Sequence, residues 1–157
     1  MVVNGTNPET GETYQAEADE VDQEFIETMS IFRMSDADVK RIINSLNISA
    51  DAKSLLYSFS KATIKAGEFI IKIGRKIVDY ICRIFTEFPN ATFGLIFGAI
   101  AGFLISSIPV LGLVLGPLLS PLLMAFGMIG GLQEDLHDKA LERKISEING
   151  KFTPLRA

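Results

Sequence analysis

Cysteine and histidine each occur only once in this chain of 157 residues. Cys82 cannot form an intramolecular disulfide bond and offers no second thiolate for a metal ion, so the chain needs no oxidising compartment. His137 has no nucleophile at hydrogen-bonding spacing, and no glycine-rich phosphate loop follows a strand. We therefore predict a protein that is not an enzyme and that holds no cofactor or metal ion.

Charged side chains are absent from residues 88–133, although they are frequent on both sides of this run. A single helix of about 45 residues would exceed twice the roughly 30 Å hydrocarbon core of a bilayer, so two passes fit and one does not. The turn signal around Pro109 divides the run into spans at about residues 91–108 and 110–132. No signal-peptide pattern is present at the N-terminus, so this hairpin would direct insertion.

Basic residues flank the apolar run, whereas the turn between its two halves is uncharged. They are Lys72, Arg75, Lys76 and Arg83 before it and Lys139, Arg143 and Lys144 after it. The positive-inside rule then places both termini in the cytoplasm. The predicted location is an integral membrane one with both termini cytoplasmic.

The remaining patterns predict an all-α membrane protein, in which a two-helix glycine-rich transmembrane hairpin has cytoplasmic amphipathic helices on both sides. Apolar residues recur at helical spacing at about 21–34, 36–46 and 50–85, and Ser35 is a good N-cap for the second helix. The predicted segments are a disordered acidic tail at 1–20, a helical cytoplasmic or juxtamembrane region at 21–88, the hairpin at 89–132, and a C-terminal amphipathic helix with a short tail at 133–157.

Small residues form a stripe along each predicted span. The stripes contain Gly94, Gly98 and Gly102 in the first span and Gly112, Gly116, Ser120, Gly127 and Gly131 in the second. Such faces allow helix backbones to approach closely within a bilayer. The two stripes could pack against each other within one hairpin, or they could bind neighbouring copies and give a homo-oligomer. Pro117 and Pro121 each remove a backbone donor, so a kink or a break is expected there.

A second candidate surface is the basic amphipathic region at about residues 61–85. Its cations are Lys61, Lys65, Lys72, Arg75, Lys76 and Arg83. They could lie on the anionic head groups of a lipid bilayer with the isoleucines dipped into it. Alternatively, the isoleucine stripe is buried against other helices. Nucleic acid is not an expected partner, because exposed aromatic residues are not interleaved with these cations.

The run GLIFGAIAGFLISSIPVLGLVLGPLLSPLLMAFGMIGG resembles the glycine-rich hairpins of small bacterial membrane proteins, and its setting is similar in outline to pore-forming colicin domains. The stretch PLLSP is similar to the proline knot of oleosins. Together with the glycine stripes, these features favour a pore or channel-like assembly that oligomerises in the membrane. The alternative is a membrane-anchored adaptor or scaffold that recruits a soluble protein partner through its cytoplasmic helices, without a pore.

Overall fold

The computed structural model describes residues 2–18, 20–126 and 138–156. It combines a four-stranded antiparallel sheet with helices, so the all-α prediction is wrong. The strands are β1 (Val2–Thr6), β2 (Thr13–Glu17), β3 (Thr63–Ala66) and β4 (Phe69–Ile71). The helices are α1 (Gln23–Ser30), α2 (Asp36–Ser45), α3 (Ala50–Ser60), α4 (Ile73–Glu87), α5 (Phe93–Phe97), a π-helical turn (Gly98–Gly102), α6 (Phe103–Ser107), α7 (Pro109–Ala125), α8 (Lys139–Lys151) and a short 3₁₀ helix (Thr153–Leu155).

The first hairpin occupies most of the segment that the sequence predicts to be a disordered tail. β1 pairs with β2 on one side and with β3 on the other, in the strand order β2-β1-β3-β4. The Asn7 side chain accepts hydrogen bonds from the amides of Glu9 and Thr10 in the connecting turn. Gly11 supplies a positive φ of 75° in the same turn. Val3 and Gly5 are buried, so this acidic segment packs against the rest of the fold although its composition predicts disorder.

The second hairpin interrupts the predicted long helix at about 50–85. α3 ends at Ser60, and β3 and β4 follow it before α4 begins at Ile73. Gly67 adopts a φ of 62° at the turn between the two strands, a conformation that glycine adopts without steric strain. The periodicity is therefore helical only in the two halves that flank the hairpin.

The described part of the apolar run, residues 88–126, packs largely into the core of this structure. Within the described ranges, no helix combines the length and the apolarity that crossing a membrane requires. The transmembrane hairpin, the integral membrane location with cytoplasmic termini, the pore and the membrane-anchored adaptor are therefore not supported. The first predicted span is divided by the π-helical turn, and α7 packs against β1, β2 and α3 instead of lipid. The approach is close: a Cβ atom added to Gly5 of β1 would lie 2.4 Å from Val114 Cγ2 of α7.

Helix α4 lies at the centre of the helical part of the fold, where it packs against α1, α2, α3, α5 and α8. Its isoleucines Ile73, Ile77, Ile81 and Ile84 are buried, so the part of the isoleucine stripe that lies on α4 is covered within the chain. Ile70, at the start of the predicted stripe, lies on β4 and is exposed. Several edge-to-face aromatic pairs extend this core, including Phe59 with Phe97 at 5.4 Å between ring centroids. The helices predicted around residues 21–34 and 36–46 are confirmed as α1 and α2, and the capping box of Ser35 with Asp38 is present.

Candidate functional site

A cleft of about 480 Å³ lies where α2, the end of α3, the β3–β4 hairpin and the start of α4 meet. We call it the basic cleft. Its walls are formed by Phe32, Asp36, Val39, Lys40, Tyr57, Ser60, Lys61, Thr63, Lys72 and Arg75. These residues come from five separate segments of the chain, so the cleft depends on tertiary packing and not on a local motif.

Gly74 brings the two basic segments of the cleft together. Its amide donates a hydrogen bond to the Ala62 carbonyl at 3.0 Å, just beyond the end of α3. A Cβ atom at this position would lie 2.0 Å from the Phe59 carbonyl oxygen, a distance that no side chain permits. The first turn of α4 therefore rests directly on the last turn of α3. This contact places Lys61 beside Lys72 and Arg75.

The charge of the lining is strongly unbalanced. Four cations, Lys40, Lys61, Lys72 and Arg75, face one carboxylate, Asp36, which gives a formal charge of 4 − 1 = +3. The whole chain carries −4. A concave surface of one sign concentrates ions of the opposite sign, so the cleft attracts anions against the charge of the molecule.

Arg75 is the most deeply held cation of the cleft, with only 11% of its side chain exposed. One terminal nitrogen donates to the Met34 carbonyl at 2.7 Å, and the guanidinium carbon lies 4.7 Å from the centroid of the Phe32 ring. Its Nε is buried and has no hydrogen-bond partner among the described residues. The nearest carboxylate oxygen, Asp36 Oδ1, is 4.0 Å away. The guanidinium is thus fixed in position in the wall of the cleft, and Asp36 offsets its charge only in part.

Asp36 neutralises the cleft only in part. Its Oδ2 lies 3.0 Å from Lys40 Nζ, and this hydrogen bond lowers the pKa of the Asp36 carboxyl below its ordinary value. The charges of Arg75 and Lys72 lower the pKa further. Asp36 is therefore ionised at neutral pH and is paired mainly with Lys40 and, at 4.0 Å, with Arg75. Among the described residues, Lys61 and Lys72 have no close carboxylate in the lining.

The start of α4 adds a further positive potential. Lys72 is the N-cap residue, and its side chain makes no capping hydrogen bond. The first amides of a helix lack intrahelical acceptors and carry the positive end of the helix dipole. In α4 the Gly74 amide is already bonded to the Ala62 carbonyl, so the potential of the helix end and not that amide acts on the cleft. With Lys72 and Arg75 in the lining, this end of α4 lies at the cleft, which is a favourable arrangement for an oxyanion.

Buried polar contacts beneath the cleft hold the segment that carries Phe32. Asp79 is fully buried, and its Oδ1 accepts a hydrogen bond from the Met34 amide at 3.1 Å. Its Oδ2 lies 3.5 Å from Arg83 Nε. The Lys76 ammonium donates to the Ile31 carbonyl. These contacts tie the connection between α1 and α2 to α4 and so fix one wall of the cleft.

The burial of Lys76 predicts that the free energy of unfolding rises between about pH 7 and pH 9. Burial lowers the pKa of Lys76 from 10.5 to about 8, so above pH 8 the unfolded chain binds a proton that the folded chain does not. The free energy of unfolding then rises with pH, by about 1 kcal/mol over this window. Above about pH 9 Cys82 opposes this rise, because burial raises the pKa of Cys82 from 9.0 to about 12 and the unfolded thiol loses its proton first.

Urea unfolding of the wild type and of Lys76→Met at pH 7 and pH 9 checks this prediction. Other titrating groups contribute equally to both proteins, so the wild type should gain stability relative to the variant at the higher pH. Parallel pH dependences would show that Lys76 remains charged in the folded protein.

The cations predicted from the sequence separate into two groups. Lys61, Lys72 and Arg75 line the basic cleft, and Lys65 is exposed on β3 outside its lining. Lys76 and Arg83 instead stack against Tyr80, at 4.7 and 4.4 Å from its ring centroid. The residues that the sequence did not single out are Phe32, Asp36, Val39, Lys40, Tyr57, Ser60 and Thr63. The alternation of apolar and polar residues in TIKAGEFII, on both sides of Gly67, is the sequence signal that could have predicted the β3–β4 hairpin and so the position of Thr63.

The glycine stripes have different surroundings in the two halves of the apolar run. Gly94, Gly98 and Gly102 are buried within the chain. A Cβ atom on Gly112 would lie 2.9 Å from the Ile105 carbonyl, whereas one on Gly116 would meet nothing within 4 Å in the described structure. Ser120 is exposed, and Gly127, Gly131 and His137 lie outside the described residues. α7 continues as one helix through Pro117 and Pro121.

Comparison of the chain with protein-family models, with curated proteins and with solved structures found no match. The chemistry of the basic cleft is therefore the basis on which a function is inferred.

Proposed function

We propose that this protein is a non-catalytic binding module that takes a phosphomonoester in the basic cleft. The observation that carries this proposal is Arg75, whose guanidinium is fixed in the cleft wall at the first turn of α4 by the Met34 carbonyl and the Phe32 ring. Arginine presents a planar set of donors that matches the oxygens of a phosphate group, and lysines add charge without demanding one geometry. The cleft supplies both, since Lys61 and Lys72 flank Arg75.

The shape of the cleft favours a phosphate that is attached to an apolar body. A volume of about 480 Å³ is in the range of small-molecule sites and exceeds what one phosphate group fills. Phe32, Val39 and Tyr57 form the apolar part of the wall. The Tyr57 hydroxyl donates to Asn44 Oδ1 at 2.8 Å, which holds this ring in place. The ligand class that fits both parts is an aryl or alkyl phosphate.

Isothermal titration with phenyl phosphate, inorganic phosphate and phenol tests the proposal. Phenyl phosphate should bind more tightly than inorganic phosphate, and phenol should give no saturable binding. Lys72→Gln should weaken phenyl phosphate binding about tenfold, because it removes one charge-assisted contact. The fold should be unaffected, since the Lys72 side chain is exposed and makes no capping bond.

Two variants control this experiment. Lys139→Gln removes the same charge from an exposed lysine of α8 that does not line the cleft, and its affinity should match that of the wild type. Asp36→Asn removes the competing carboxylate, so phenyl phosphate should bind severalfold more tightly. Absence of saturable binding, or equal losses in Lys72→Gln and Lys139→Gln, would refute a phosphate site in this cleft.

A further inference from the structure

The outer face of the β3–β4 hairpin adds an exposed apolar side chain to the edge of the basic cleft. Lys65 and Ile70 are cross-strand partners in the register of the two strands, so they lie on the same face of the sheet. Thr63 shares that face by strand alternation, and it lines the cleft together with Lys72, the residue that follows β4. Ile70 is 67% exposed there, whereas its neighbour Ile71 is buried.

We infer that the phosphate in the cleft belongs to a lipid head group and that this hairpin is the point at which the protein contacts an anionic membrane surface. This inference rests on the proposed phosphomonoester site. An exposed isoleucine between lysines is the arrangement with which peripheral proteins insert an apolar side chain among head groups while cations meet the lipid phosphates. The contact is peripheral, because the protein reaches the bilayer surface only.

The distribution of charge favours a membrane on this side of the sheet. Lys61, Lys65 and Lys72 are exposed around the cleft, and the turn between the strands contributes one opposing carboxylate, Glu68. An anionic surface is therefore attracted to the β3–β4 edge, which orients the cleft opening toward the lipids.

Sedimentation with vesicles tests this inference. The full chain should bind phosphatidylcholine vesicles that contain phosphatidic acid, whose head group is a phosphomonoester, more tightly than vesicles with the same amount of phosphatidylglycerol. It should not sediment with pure phosphatidylcholine. Lys65→Gln should weaken binding to phosphatidic acid vesicles about fivefold, which is the effect of removing one surface lysine. Ile70→Ala should also weaken this binding, because it shortens the apolar side chain that enters the head-group layer. Excess phenyl phosphate should release the protein.

The outcomes separate this inference from the proposed function. Lys65 and Ile70 do not line the cleft, so both variants should bind soluble phenyl phosphate like the wild type. Binding of phenyl phosphate without vesicle binding would overturn the lipid inference and leave the phosphate site intact. Equal binding to phosphatidic acid and phosphatidylglycerol vesicles, without release by phenyl phosphate, would show surface charge alone and would also overturn it. Failure with both ligands would overturn the proposed function itself.

Discussion

Replacing Gly74 with alanine is expected to destabilise the protein by about 3 kcal/mol. The added methyl group would lie 2.0 Å from the Phe59 carbonyl oxygen and 3.1 Å from both the Cβ and the amide nitrogen of Ala62. Two of these atoms belong to the backbone of the α3 terminus and cannot rotate away. The start of α4 must therefore separate from α3, and the hydrogen bond from the Gly74 amide to the Ala62 carbonyl lengthens with it.

Gly150→Ala is the matched control for this substitution. Both glycines lie within helices, but a Cβ atom at Gly150 of α8 meets nothing within 4 Å in the described structure. Alanine should therefore stabilise α8 by roughly 0.5 kcal/mol through helix propensity alone. Urea unfolding of both variants measures the contrast. Similar effects at the two positions would show that α4 does not rest on α3, and the lining of the basic cleft would then be incorrect.

Replacing Asp79 with alanine is expected to reduce the free energy of unfolding by about 3–5 kcal/mol. Asp79 is fully buried, and its removal leaves the Met34 amide without its acceptor and the largely buried Arg83 without its counterion. Uncompensated buried donors and charges carry the full penalty of lost hydration. The loss should also loosen the wall that contains Phe32, so phenyl phosphate should bind less tightly to the variant.

Two further variants interpret the Asp79 result. Asp79→Asn keeps an oxygen that can accept from the Met34 amide but removes the charge, so its loss should be smaller than that of alanine. Glu87→Ala breaks an exposed ion pair, with 4.0 Å between Glu87 Oε2 and Lys144 Nζ, and should change stability by only about 0.5 kcal/mol. Thermal or chemical unfolding distinguishes these values. Equal, small effects for Asp79→Ala and Glu87→Ala would contradict the structural role of the buried pair.

The parts of the fold that the sequence predicts correctly are set by local interactions. The Ser35 side chain accepts a hydrogen bond from the Asp38 amide, and the Asp38 side chain accepts one from the Ser35 amide. This capping box spans four consecutive residues and can be recognised in the sequence alone. α1 is similar, with Asp22 accepting from the Phe25 amide. Such signals require no knowledge of the rest of the chain.

The β3–β4 hairpin escapes prediction for a specific reason. Ile70 has the spacing that continues the helical stripe of Ile73, Ile77 and Ile81, so the periodicity extends across the hairpin without a visible break. The structure shows the difference, since Ile70 is 67% exposed and the other three are fully buried. Gly67 signals a loss of helix propensity in the sequence, but its positive φ at a strand turn becomes evident only in the fold.

The membrane prediction fails because an absence of charge indicates burial and does not indicate what the residues are buried in. A helix that is apolar on all sides fits either a bilayer or the core of a protein. Here α7 is covered by β1, β2 and α3, and two of those elements lie in segments for which the sequence predicts other structures. When the sheet is missing from the prediction, a lipid bilayer becomes the expected environment for such a helix.

The sequence predicts only part of the lining of the basic cleft. Lys61, Lys72 and Arg75 stand out as cations near one another in the chain, whereas Asp36 and Lys40 reach them through contacts between distant segments. The close approach at Gly74 that joins the two groups depends on the absence of one atom. Composition shows many lysines, and only the fold shows which of them share a cavity.

Nuclear magnetic resonance of the nitrogen-15-labelled chain during titration with phenyl phosphate tests the central claim most directly. The amide signals that move should belong to the basic cleft, with Ser60, Lys61, Thr63 and Arg75 among the largest changes, and they should saturate with one ligand per chain. Signals of Ser107 and Ser146, which line a separate cavity between α6 and α8, should remain still. Changes centred on that second cavity, or no saturable change at the start of α4, would contradict a phosphate site built on Arg75.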